Sequence, residues 1–167
     1  MNVYGIEVKT KNQPVLDPEF IPMSNFSTAF EESAKNGKPV IIALEREEGQ
    51  IMRREIKIHG TPEMEKADLL YAERTIKMML WASGGFQIYV CGDEKLARKI
   101  EEIYSKTGER AFDFDFMQSV YEKPFKVVSL PYEEAPKEYQ RPKKIGGNNI
   151  GCRIGFDAGG SDRKVSA

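Results

Sequence analysis

Histidine is almost missing from this chain: among 167 residues there is one histidine, one tryptophan and two cysteines. A lone His59 excludes a histidine-rich metal centre and any mechanism that needs two imidazoles. Cys91 and Cys152 stand far apart and neither belongs to a Cys-x-x-Cys pair. Disulfide-dense and zinc-ribbon folds are therefore excluded, and two buried, reduced thiols are expected. No apolar stretch approaches the roughly 20 residues of a membrane-spanning helix. The N-terminus, Met1-Asn2-Val3-Tyr4-Gly5-Ile6-Glu7, lacks the basic and then apolar order of a signal peptide. Neither a Gly-x-Gly-x-x-Gly fingerprint nor a Walker-type lysine loop occurs. The expectation is a soluble cytoplasmic chain with no membrane contact.

What is present is enough for one ordinary domain and a tail. Hydrophobic residues make up 40% and aromatic residues 10% of the chain, which fits a packed core rather than disorder. The net charge of −1 hides an asymmetry. Residues 1–140 carry 19 basic and 24 acidic side chains, net −5, whereas residues 141–167 carry 6 and 2, net +4. An acidic body offers no clustered Lys and Arg for phosphate backbones, so no nucleic-acid partner is expected.

Periodicity outlines an α/β sandwich with a mixed sheet over residues 1–130. The proline-punctuated residues 1–22 are expected to wrap the surface. Phe26, Ala29, Phe30 and Ala34 share one face of a helix from about Asn25 to Asn36, capped by Ser24 or Asn25 and stopped by Gly37. Val40-Ile41-Ile42-Ala43-Leu44 reads as a strand covered on both faces. A loop at 46–50 joins it to a second strand, Ile51 to Ile58, with Ile56 and Ile58 inward. Leu69, Ala72, Ile76, Met79 and Leu80 stripe a long helix, Met64 to Ser83. Phe86 to Cys91 is a strand, and Gly92-Asp93 turns into a helix over 94–106. A shorter helix over 112–121 and a strand over 125–130 complete the domain. Residues 131–150, with three prolines, Gly146-Gly147 and Asn148-Asn149, have the composition of a solvated linker.

The tail carries the sharpest pattern. Ile154-Gly155-Phe156-Asp157-Ala158-Gly159-Gly160-Ser161 and the following Asp162-Arg163-Lys164-Val165 read as strand, glycine turn and second strand. Glycines at 159 and 160 let phosphate oxygens approach backbone N–H groups. Asp157 can hold a hydrated Mg²⁺, Ser161 offers a hydroxyl, and Arg163 or Lys164 can balance charge. The competing reading is a plain hairpin whose Gly-Gly pair supplies positive φ, with Asp157 a turn residue. The tail strand is expected either to extend the edge of the α/β sheet or to pair with another copy of the chain.

Ile154 to Val165 resembles the first phosphate motif of the actin-like ATPase and sugar kinase superfamily, in which a strand runs into Asp-x-Gly-Gly-Thr or -Ser. Within that superfamily it is most similar to the ROK group of repressors and sugar kinases. The resemblance implies that residues 151–167 begin an actin-like ATPase domain. By it Asp157 stands near the metal, Gly159, Gly160 and Ser161 touch the phosphates of ATP, and Lys164 lies beside them. It implies ATP and Mg²⁺ as cofactors and a glucokinase-like transfer to a sugar hydroxyl. The remainder of a longer parent chain would then be the partner, and the chain alone would be inactive.

An independent α/β binding module with an incidental Gly-Gly hairpin is the alternative; a DNA-binding regulator is disfavoured by the acidic body. His59, beside Gly60-Thr61-Pro62, reads as a turn residue. Asp113 and Asp115, between Phe112, Phe114 and Phe116, read as helix-start caps with the aromatics in the core. Trp81 reads as a core anchor.

Overall fold

The computed structural model describes residues 1–147 and 150–167; Asn148-Asn149 of the expected linker lie outside the described residues. Near the N-terminus β1 (Asn2–Val3) and β2 (Ile6–Glu7) form a short hairpin. This segment does more than wrap the surface, because Ile6 and Val8 are buried in the core. Helix α1 (Met23–Ser33) begins two residues before its expected start. Pro22 stands at its N-cap and no side chain caps it, so proline's preset φ does what Ser24 or Asn25 was expected to do. Phe26, Phe30 and Ala34 point inward as the periodicity required.

Strand β3 (Lys38–Glu45) pairs antiparallel with β4 (Ile51–Ile58). In the loop between them Glu48 and Gly49 take positive φ, 57° and 68°. Helix α2 (Glu65–Ser83) crosses the sheet. Strand β5 (Gln87–Cys91) then pairs antiparallel with the free side of β3. Helices α3 (Glu94–Ile103) and α4 (Ala111–Tyr121) make the crossover that lets β6 (Lys126–Leu130) lie parallel to β5. The sheet is therefore mixed and four-stranded, in the order β4-β3-β5-β6.

Val40, Ile42 and Leu44 face the helices, in one cluster with Phe30, Ile76, Met79, Ile88 and Ile100. Each such side chain contributes about 1.5–3 kcal/mol when fully buried. Ile41, Ala43 and Cys91 are buried on the opposite face of the sheet, outside that cluster. Residues 132–141, expected to be a solvated connector, run back along that side. Tyr132 donates to Glu55, Arg53 to the Pro136 carbonyl, and Tyr139 exchanges backbone hydrogen bonds with Ile51 at 2.8 and 3.1 Å. A sheet edge with open N–H and C=O groups takes whatever backbone lies near it, and here Tyr139 fills that role.

Strands β7 (Gly155–Ala158) and β8 (Arg163–Ser166) form a separate two-stranded hairpin. Among the described residues it pairs with no strand of the larger sheet, so the expected extension of the sheet edge is not formed. No helix of the described residues is long and apolar enough to cross a membrane.

Candidate functional site

The residues singled out in the tail meet in the β7–β8 hairpin. Register pairs Phe156 with Val165 and Asp157 with Lys164. Directly opposed residues share a face, so Phe156 and Val165 make an apolar face, and Asp157 and Lys164 a polar one. Every residue of the hairpin is exposed, Phe156 by 64% and Val165 by 66%.

Gly159, Gly160, Ser161 and Asp162 form the turn. Neither glycine has a positive φ, which removes the left-handed turn as the reason for them. At Gly159 the reason is space, because an added Cβ would lie 2.6 Å from Asp162 Oδ1 and 2.9 Å from its carbonyl oxygen. At Gly160 an added Cβ would meet nothing within 4 Å. Lys164, expected beside the phosphates, is in an ion pair with Asp162 at 3.2 Å. Asp157, Ser161 and the two glycines thus sit together around one open turn. The hairpin offers two carboxylates, Asp157 and the Lys164-paired Asp162, and one hydroxyl, hard oxygen ligands of the kind that a largely hydrated Mg²⁺ takes, with bare backbone beside them. Among the described residues no group of three or more His, Cys, Asp or Glu side chains could hold a metal by itself.

The remaining sequence candidates land differently. Cys91 is buried, and burial pushes its thiol up from the ordinary value, but Cys152 is exposed rather than buried. Asp113 is buried and does not cap α4; it accepts the Trp81 indole N–H and pairs with Lys77 at 3.2 Å. Phe112 and Phe116 are not core residues. They stack on each other and on Trp81, all three at least 41% exposed. A spacing of four residues puts Phe112 and Phe116 on one face of α4, and that face meets Trp81 at the outer edge of α2.

His59 follows β4 directly, as a turn residue should, but its ring is engaged at both nitrogens. Nδ1 lies 2.8 Å from Asp68 Oδ1 and Nε2 lies 2.9 Å from Ser33 Oγ. The sequence reading missed both partners. They lie 26 and 9 residues away from His59 on two helices, and no local spacing marks them.

Compared with protein-family models, with curated proteins and with solved structures, the chain finds no match.

Proposed function

We propose that the β7–β8 hairpin is the first phosphate-binding hairpin of a ROK-like, ATP-dependent sugar kinase, and that residues 1–130 are an added α/β domain ahead of it. The observation that carries this reading is Gly160. Its φ is unstrained for any residue and its Cβ position is open, so the folding of the turn does not require glycine there. A bare backbone at an exposed turn is what the close approach of a phosphate oxygen requires. The uncovered Phe156–Val165 face supports the same reading, because a lone two-stranded hairpin is marginal in water and an apolar face needs a covering layer.

In this reading Asp157 holds the hydrated metal, the N–H groups around Gly159 and Gly160 orient the phosphates, and Ser161 donates its hydroxyl. Lys164 leaves Asp162 to balance the added charge. MgATP supplies the transferable phosphoryl group, and these residues contribute position and electrostatics. Residues beyond this chain would supply the base that takes the sugar hydroxyl's proton.

The test is ATP-dependent phosphorylation of hexoses by a gene product that includes the residues following Ala167. Asp157→Ala and Gly160→Val are each expected to lower turnover at least about a hundredfold, the scale on which one electrostatic group is felt at a charged transition state. Turnover unchanged in both variants sinks the proposal.

A second reading is favoured by the exposed Trp81–Phe116–Phe112 stack: the α/β body is an interaction module whose partner covers those rings. Under it, Asp157→Ala leaves binding intact and Phe112→Ser weakens it.

A further inference from the structure

Three side chains from three elements meet at one end of the body. Ser33 is the last residue of α1, His59 follows β4, and Asp68 lies in the first turn of α2. Asp68 is only 4% exposed. Its Oδ1 accepts the His59 backbone N–H at 2.9 Å, and its Oδ2 accepts the Gly60 N–H at 2.9 Å. Oδ1 also faces the His59 ring at Nδ1. Both carboxylate oxygens are thus occupied as acceptors of backbone N–H groups.

The tautomer of His59 follows from this. Nδ1 must carry the proton, so in the neutral ring Nε2 holds the lone pair. The Ser33 hydroxyl then has to donate to Nε2. The edge of the Phe30 ring packs at 86° to the imidazole, with centroids 5.0 Å apart, and fixes its plane. A helical serine or threonine ordinarily returns its hydroxyl to the carbonyl four residues back, as Thr28 does to Ser24. Ser33 turns to the histidine instead, and it is exposed to solvent.

We propose that Ser33 is a nucleophile, His59 its general base and Asp68 the positioning residue of an acyl-transfer site acting on carboxylic esters. Ser33 Oγ bonds to the ester carbonyl carbon while its proton passes to His59 Nε2. The carbon–oxygen bond to the leaving alcohol then breaks, and the alcohol takes that proton. A water molecule, giving its proton to the same nitrogen, releases the carboxylic acid and restores the hydroxyl. The polarity of α1 sets the substrate class. Ser33 stands in its last turn, where the partial negative charge steadies the imidazolium and gives no help to an oxyanion. Esters with good leaving groups suit that field, and amides do not. This site shares no residue with the tail hairpin, so either proposal can fail without the other.

The probe is a fluorophosphonate, with labelled peptides located by mass spectrometry. Ser33 is expected to react at least about a hundredfold faster than Ser119, an exposed helical serine of the same chain, the scale of general-base assistance. His59→Gln is expected to erase that advantage. Asp68→Asn should lower it at least about tenfold by reversing the tautomer, with the far-UV spectrum unchanged. With p-nitrophenyl acetate, Ser33→Ala should remove the burst of nitrophenol. Equal labelling of Ser33 and Ser119 in the unaltered protein overturns the proposal, whatever the variants do. So does an unchanged Ser33 rate in folded His59→Gln.

Discussion

The α/β body and the tail hairpin use the same residue types for opposite purposes. In β3 five consecutive residues, Val40 to Leu44, are buried, whereas every residue of β7 and β8 is exposed. The glycines make the contrast concrete. At Gly37 an added Cβ would sit 2.1 Å from the Ile58 carbonyl oxygen, so packing of the α1–β3 turn on β4 demands glycine. At Gly160 nothing stands in the way. The acids divide in the same manner. Asp93 caps α3 by accepting the Leu96 N–H at 2.8 Å, and Asp68 is saturated with donors, while Asp157 stands on an open face opposite Lys164. A residue with a packing reason explains itself within the chain. Nothing within 4 Å of an added Cβ gives Gly160 such a reason.

The comparison can be broken most forcefully in the core. Ile42→Ala is expected to cost about 2–5 kcal/mol, read from the urea unfolding midpoint, because β3 is covered on both faces and cannot collapse around the cavity. A loss under half of that would mean the sheet is looser than its burial indicates.

Alkali should separate the regions next, since the hairpin contains no tyrosine. The Tyr71 phenol is pushed up to about 12, first by burial and then by its hydrogen bond to the Glu31 carboxylate. Tyr89 is likewise pushed up to about 12, by burial and then by Glu45. An unfolded tyrosine ionises near 10, so the folded body keeps protons that the unfolded chain gives up. Their stabilisation is fully present below about pH 10 and is lost as pH rises toward about 12. Urea midpoints that stay flat across that window would contradict this.

Asp93→Ala should cost about 1 kcal/mol through loss of the α3 cap, measured by thermal unfolding. The smallest effect belongs to the tail. Phe156→Ser and Asp157→Ala should each shift the unfolding midpoint of the body by less than about 0.5 kcal/mol. A larger shift would show that the hairpin docks on the body in solution.

Much of the body was legible in the sequence. Val40–Leu44 announced a doubly covered strand, β4 ran from Ile51 to Ile58 as its alternation indicated, and Asp93 capped the helix it precedes. The errors share one cause. Trp81, Phe112 and Phe116 were assigned to the core on hydrophobicity, yet their helices place them on an outer edge where they pack on one another. Residues 132–141 were assigned to solvent on composition, yet their backbone groups satisfied the open edge of β4. Hydrophobicity and composition describe a residue; neither says which surface its element will present.

The order of residues alone determined the main helices and strands between residues 23 and 130, the turn around Gly159 and Gly160, and the division between an acidic body and a basic tail. These depend on contacts within a few positions of the chain, where periodicity and backbone preference act directly. Only the tertiary structure decided that Ser33, His59 and Asp68 would share one hydrogen-bonded line. The ends of α1 and β4 and the start of α2 converge there, and packing brings the Asp68 carboxylate to His59 Nδ1.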